Sequence, residues 1–237
     1  MNPSPDIYDA LAPHYREYSR GKSAYLDAVD RFILDNVPAG ASSLLDVGAG
    51  DGVRGMALAR ALKAKRVVLC ETSRNMAARC RTLAPDAVWE VPAEQLPESS
   101  VRFDVILCLW NVLGHIPARA GRLAALKSIR RLLAPAGTVF LDVNNRHNAA
   151  AYGWLKVLGR RFVDYLSPDE RRGDAVYEWN IGGASLSGMG HLFTPAEIED
   201  IIAESGLRVL RCVAIEYATG EYSTSLYRGQ LIFQAAP

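Results

Sequence analysis

The amino-acid sequence predicts a doubly wound α/β domain, in which an open, mostly parallel sheet is covered by helices on both faces. Three observations predict it. Short apolar runs alternate five times with segments of helical period. The run from Val101 to Trp110 is the most apolar in the chain, as a strand buried on both faces requires. The first strand feeds a helix through glycine. A length of 237 residues suits one α/β domain or two small ones, and the fivefold alternation reads as one, spanning 1–237.

In chain order, Asp6 to Val37 is amphipathic, with Tyr8, Leu11, Tyr15, Tyr25, Leu26, Val29 and Ile33 as contacts, and reads as a helical flap over residues 1–40. Ser43 to Val47 is the first strand, followed by helical spacing from Val53 to Leu62. Arg66 to Cys70 is β-branched and apolar, and Thr72 or Ser73 can cap a helix through Leu83 that stops before Pro85. Ala87 to Val91 fits a third short strand. Val101 to Trp110 is the fourth, and a helix from about Ala118 to Leu133 ends at Pro135 and Gly137. Thr138 to Val143 is the fifth strand. Regularity then breaks between Asn144 and Leu192, where aromatics, glycine pairs and Arg160, Arg161, Arg171 and Arg172 suggest an insertion that folds over something, a lid at 144–192. Thr194-Pro195-Ala196-Glu197 is a capping box opening a helix that ends at Gly206. Leu207 to Tyr217 and Tyr227 to Ala235 read as closing strands.

Composition excludes several classes. With 27 basic and 26 acidic side chains the formal charge is +1, which speaks against a nucleic-acid partner. The N-terminus carries Pro3, Asp6 and Asp9 where a secretory signal has a basic run and an apolar block. The longest nearly apolar stretch, Val105 to Ile116, is far shorter than the roughly 20 residues a bilayer demands, so no membrane partner is expected. Cys70, Cys80, Cys108 and Cys212 form no CxxC pair and read as reduced core thiols of a cytoplasmic protein.

The sharpest chemical signal is Asp46-Val47-Gly48-Ala49-Gly50-Asp51-Gly52, three alternate glycines where a strand meets a helix. Glycine is needed where backbone turns with positive φ and where a ligand touches main chain with no Cβ in the way. A dinucleotide loop has its third glycine one residue later, where this chain has Val53, and Asp51 would oppose a pyrophosphate. A ligand without phosphate fits better. Glu71, about 20 residues past Gly52 and at the end of the second strand, stands where an acid can accept from both hydroxyls of a ribose. Glu94 adds a polar group where an adenine edge could lie.

Together these motifs resemble the class I S-adenosylmethionine-dependent methyltransferases, and more closely their bacterial small-molecule branch. The resemblance covers Tyr8 to Val143 well and the Phe193 to Leu207 unit moderately. It implies a Rossmann-like sheet ordered 3-2-1-4-5-7-6 with the seventh strand antiparallel, and S-adenosylmethionine as cofactor with S-adenosylhomocysteine as its product. It implies that Asp46, Gly48, Ala49, Gly50 and Gly52 hold the methionine part, that Glu71 holds the ribose, and that Thr72 and Met76 flank ribose and adenine. By the same likeness Ala93 and Glu94 form the adenine loop, Leu109, Trp110 and Asn111 lie beside the reactive methyl, and Tyr15 covers the cofactor.

Departures narrow the acceptor. The fourth strand ends in Leu109-Trp110-Asn111-Val112, not the Asn-Pro-Pro-Tyr type motif of base and glutamine amine methylation, and Cys108 lacks the proline of a pyrimidine C5 nucleophile. Asp142, Asn144 and Asn145 could supply part of a Mg²⁺ site, but no acid follows the fourth strand, so no metal is expected. Methyl transfer needs alignment, and a base only if the nucleophile arrives protonated. His115 is the candidate general base; the alternative is a histidine that only bonds backbone or caps the next helix. Trp179, His191 and Tyr222 are candidates to line a substrate pocket under the insertion, while His14 and His147 belong to no constellation. The reading is methyl transfer to oxygen or nitrogen of a small metabolite, in secondary metabolism, by a monomer or homodimer. A non-catalytic cofactor- or partner-binding module on the same fold is one alternative. An NAD-dependent oxidoreductase is another, disfavoured by Val53, Asp51 and the lack of a Tyr-x-x-x-Lys pair.

Overall fold

The computed structural model describes residues 4–181 and 184–237, apart from the side chains at 179–181, 184 and 186. The N-terminal segment forms three helices, α1 (Ser4–Leu11), α2 (Tyr15–Arg20) and α3 (Ser23–Asn36). The alternating core follows: β1 (Ser43–Val47), α4 (Val53–Ala61), β2 (Arg66–Cys70), α5 (Arg74–Thr82), β3 (Ala87–Trp89), β4 (Phe103–Cys108), α6 (Ala118–Leu132) and β5 (Leu133–Val143). Next come α7 (Ala149–Tyr152), α8 (Trp154–Leu166), a hairpin of β6 (Asp174–Ile181) and β7 (Ala184–His191), and α9 (Pro195–Glu204). The chain closes with β8 (Arg208–Ile215), β9 (Tyr222–Ser223) and β10 (Gln230–Ala236).

The main sheet is ordered β3-β2-β1-β4-β5-β10-β8-β9. Strands β1 to β5 pair in parallel, and β10 is antiparallel to both β5 and β8. With β8 and β10 as the sixth and seventh strands, the order 3-2-1-4-5-7-6 is present, and the two-residue β9 extends it by one strand at the edge. The period of two divides the core. Leu45, Ile106, Val139 and Phe233 face α6 and α9, where Leu126, Ile129, Ile198 and Ile202 are buried. Leu44, Leu107, Phe140 and Ile232 face the other side, with Val29, Phe32 and Ile33 of α3 and Leu58 of α4.

Two expectations change. Pro135 and Gly137, expected between the helix and a strand starting at Thr138, lie inside β5, which follows α6 directly at Leu133: Phe103 pairs with Leu133, and a register shift restores Val105 to Thr138. The proline is tolerated because it sits in that irregularity. The stretch after Asn144 is regular after all, since β6 and β7 pair from Asp174–His191 to Ile181–Ala184. Its period was hidden because β7 is rich in small residues such as Ser187, Gly188 and Gly190, which carry no apolar alternation.

Candidate functional site

Parallel strands leave their C-terminal ends at one edge, and ligands bind there where the order reverses, between β1 and β4. At this edge the loop after β1 is pinned to β2: the amides of Gly48 and Ala49 donate to the Cys70 carbonyl at 2.8 and 3.0 Å. Gly50 has φ +58°, and a Cβ there would stand 2.6 Å from the Tyr15 hydroxyl; Gly48 has φ +74°, and its Cβ would stand 2.3 Å from Cγ2 of Val112. Both positions combine a left-handed backbone with close approach of neighbours, so no larger residue fits without strain. Gly52 is the N-cap residue of α4, packed against Leu69 and Cys80.

Glu71 is buried at the end of β2. Its carboxylate accepts from the Gly50 amide at 2.8 Å and the Ser73 amide at 2.9 Å. Burial pushes its pKa up, and these backbone donors oppose the shift. Ser73 caps α5 by accepting from the Met76 amide. Asp9 of α1 takes the Ser73 hydroxyl at 2.5 Å and the Asn75 amide at 2.9 Å, which fastens the N-terminal helices onto α5.

A cavity of about 330 Å³ opens beside these groups. It brings together Tyr15, Gly48, Gly50, Glu71, Thr72, Ala93, Glu94, Leu109, Trp110 and His115 of the expected site residues, with Pro5, Tyr8, Val112 and Ile116 completing the wall. Asp46 and Ala49 face a second cavity of about 370 Å³, which shares Tyr15, Gly48, Leu109 and Trp110 with the first. Burial, opposed by Arg54 and reinforced by Glu71, pushes the Asp46 carboxyl up to about 7. Met76 is wholly buried and does not line the cavity.

The segment after β4 is held in an uncommon conformation. Trp110 and Asn111 both have φ 62°, and the buried Asp142 on β5 accepts from both of their amides and from the Tyr25 hydroxyl. Two successive left-handed residues other than glycine persist only where the surroundings over-determine them. The Trp110 indole donates to the Tyr217 hydroxyl at 3.0 Å and stacks on Tyr18. Asn111 accepts the Asn144 amide on Oδ1 at 2.9 Å, while its buried Nδ2 has no hydrogen-bond partner. With Tyr8, Tyr15, Tyr18, Trp110, His115, Asn144, Tyr177 and Tyr217, Asn111 lines a third, aromatic chamber of about 100 Å³.

His115 ends a 3-10 turn, Val112–His115. The Tyr8 hydroxyl is hydrogen-bonded to its Nε2 at 3.2 Å, with the rings edge to face at 5.6 Å. Burial pushes the imidazole pKa below its ordinary value, against a backbone hydrogen bond to Met189.

The structure moves two candidates away from the cavities. His191 is buried at the foot of the hairpin, with Nδ1 2.7 Å from Asp174 and Nε2 2.7 Å from Glu197, so both ring nitrogens are engaged and neither faces a ligand. Tyr222 lies on the edge strand β9, and its hydroxyl donates to the Ala28 carbonyl at 2.5 Å. The Trp179 side chain lies outside the described residues. Tyr8, Asp9 and Asp142 were not assigned these contacts from sequence. Asp142 had a visible signal, an acid inside the apolar run of the fifth strand, whereas nothing in the spacing links Asp9 to Ser73.

A family model described as a methyltransferase domain matches residues 15–211. The chain belongs to that family. This methyltransferase is similar to the ubiquinone biosynthesis O-methyltransferase of Thiobacillus denitrificans, 28% identical over 200 residues that cover 79% of this chain and 73% of that one. The protein of the same name from Xanthomonas campestris pv. campestris is 30% identical over 197 residues, covering 71% and 76%. Among solved structures, a S-adenosylmethionine-dependent methyltransferase of Clostridium acetobutylicum superimposes with TM-score 0.67 at 12% identity, covering 97% of this chain and 98% of that one. CalS10, an amino pentose methyltransferase from Micromonospora echinaspora with S-adenosylmethionine bound, gives 0.64 at 18%, covering 94% of each. At these identities the structural likeness is one of fold. The chain is a S-adenosylmethionine-dependent methyltransferase, and the oxidoreductase alternative is set aside. Among the described residues no helix is long and apolar enough to cross a membrane, and no group of three or more metal-ligating side chains is gathered.

Proposed function

We propose that this methyltransferase acts on a hydroxyl oxygen of a small molecule, with His115 accepting the hydroxyl proton. One observation supports the reading most: Tyr8, Tyr15, Trp110 and His115 line both the 330 Å³ cavity and the 100 Å³ aromatic chamber, so the two spaces meet at the candidate base. Oxygen is preferred over nitrogen because the curated relatives are named O-methyltransferases.

The residues present fit the cofactor. Main chain at Gly48 and Gly50 borders the cavity where any Cβ would collide, and Glu71 offers a buried carboxylate that takes the Gly50 amide on Oε2 and the Ser73 amide and Thr72 hydroxyl on Oε1, with acceptor capacity left on Oε2. In this reading Gly48 and Gly50 cradle the amino-acid tail, Glu71 accepts from the ribose diol, Thr72, Ala93 and Glu94 border the adenine, and Tyr15 closes over it. Asp46, Ala49, Gly52, Met76 and Asn111 shape the walls from behind. When bound, the cofactor supplies a methyl group on a sulfonium, released as the neutral thioether S-adenosylhomocysteine. His115 Nε2 takes the acceptor proton as the new C–O bond forms, and Leu109, Trp110 and Asn111, fixed by Asp142, hold the alignment on which displacement depends. The whole chain acts as one domain, with residues 1–40 as the flap and 144–192 as the lid.

The test pairs calorimetry with chemistry. S-adenosylmethionine and S-adenosylhomocysteine should bind the pure protein, and a panel of small phenols, alcohols and amines with labelled donor should give O-methyl products. Absence of binding removes the cofactor site, whereas binding with products methylated on nitrogen alone removes the acceptor assignment.

A further inference from the structure

Helix α8 is oriented the wrong way round for a helix that packs on a core. At 3.6 residues per turn Trp154, Leu155, Leu158, Phe162, Tyr165 and Leu166 share one face. That face meets solvent: Leu155 is 88% exposed, Tyr165 85% and Phe162 65%. The polar side points inward. Arg160 donates to the Arg146 carbonyl at 2.9 Å and lies over the Tyr152 ring, while Asp164 accepts from Arg146 Nε and faces His147 Nε2, both at 3.0 Å. Val157 is the apolar residue of α8 that is fully buried. A contiguous exposed patch of this kind marks an interaction surface.

We propose that the apolar face of α8 docks on an anionic lipid bilayer, lying in the interface rather than crossing it. Thirteen residues of helix reach about 20 Å, short of the roughly 30 Å hydrocarbon core, so a flat pose is the one available. Helical spacing sets the exposed Lys156 and Arg161 on either side of the apolar face. Lipid phosphates answer those cations. A second copy across a two-fold axis would instead bring the same cations toward one another. Trp154 and Tyr165, near the two ends, have the amphipathic rings that settle at headgroup level. The absence of a spanning segment, on which the expectation of no membrane partner rests, does not bear on a surface contact of this type.

The full chain is sedimented with vesicles of phosphatidylcholine alone and of phosphatidylcholine mixed with phosphatidylglycerol. It should pellet with the anionic vesicles, and less so at high salt or with Lys156→Glu. The double substitution Leu155→Asp/Phe162→Asp should weaken the partition by about tenfold or more, while Tm and S-adenosylhomocysteine affinity hold, because both side chains are exposed and line none of the three cavities. Wild-type protein that stays in the supernatant, or pelleting indifferent to the double substitution, would overturn the proposal. So would a dimer in light scattering that the double substitution dissociates without any vesicle binding, which assigns the face to a second copy.

Discussion

The Tyr8 hydroxyl and Nε2 of His115 share one hydrogen bond of 3.2 Å. Burial drives the Tyr8 pKa far above neutrality, so its hydroxyl keeps its proton and donates to Nε2 in the neutral tautomer that carries its hydrogen on Nδ1. The Nε2 lone pair is the one an acceptor hydroxyl would need. With His115 as the proposed base, the substrate hydroxyl would have to take the place of Tyr8 on Nε2.

The pH dependence follows from the same pair. Burial lowers the His115 pKa, so its neutral form persists below the ordinary histidine value of about 6.5. As pH falls through the lowered value the imidazole protonates and the rate falls. The profile of kcat/KM should carry an acid limb below about 6.5, and His115→Gln should erase it and cut kcat by about 10²–10⁴ with little change in S-adenosylhomocysteine affinity. An unchanged kcat would take His115 out of the reaction.

Glu71 joins the glycine loop to the start of α5 through its bonds to the Gly50 and Ser73 amides. In Glu71→Gln an amide NH₂ replaces one acceptor oxygen and confronts one of those donors. Loss of charge-assisted bonds of about 1.5–3 kcal/mol should weaken S-adenosylmethionine binding by roughly 10–100-fold, measured by calorimetry. Affinity equal to wild type would place the ribose elsewhere.

At Gly48 the obstacle has a name. A Cβ would stand 2.3 Å from Cγ2 of Val112, on a backbone at φ +74°. Gly48→Ala should lower stability by about 1–3 kcal/mol, and Val112→Ala in the same chain should restore part of it by removing the colliding methyl, leaving the backbone term. Thermal denaturation of the three variants reads this out. No recovery in the double variant would mean that φ alone sets the cost.

His191 tests the correction made by the structure. Its ring lies between Asp174 and Glu197, with Arg122 also near both carboxylates. Removing the buried ring takes a hydrogen-bond partner from both carboxylates, so His191→Leu should destabilise by about 1–3 kcal/mol in denaturant titration while cofactor affinity holds. A large rise in acceptor KM with unchanged stability would return His191 to the substrate set.

The alternation of strands and helices, the glycine loop and Glu71 were legible in the sequence because each is local: a period, a spacing, a strand end. The contacts of Tyr8 with His115 and of Asp9 with Ser73 were not, since they join segments 107 and 64 residues apart and leave no spacing to read. Histidine assignments divided for the same reason. His115 and His191 have equivalent local signals, each just ahead of a helix, and what separates them is whether two carboxylates from β6 and α9 close around the ring. The pairing of β6 and β7 is not legible in the sequence because small residues in β7 erase the period that marks a half-buried strand.

Asp46 offers a thermodynamic test that needs no substrate. Its carboxyl is pushed from 3.8 to about 7 in the folded protein, mainly by burial. A folded value above the unfolded one means that the native state holds this proton more tightly, so the associated stability is fully present below about pH 4 and is lost as pH rises through about 7. Three units correspond to at most about 4 kcal/mol, with the opposing pull of Arg54 already included. Asp46→Asn cannot ionise. The stability difference between Asp46→Asn and wild type should therefore grow in favour of the variant from pH 4 to pH 7, with any fixed packing cost of asparagine cancelling across the series. A difference that stays flat would show the carboxylate ionised without penalty, and Arg54 would then be its full counter-ion in the cofactor-free protein.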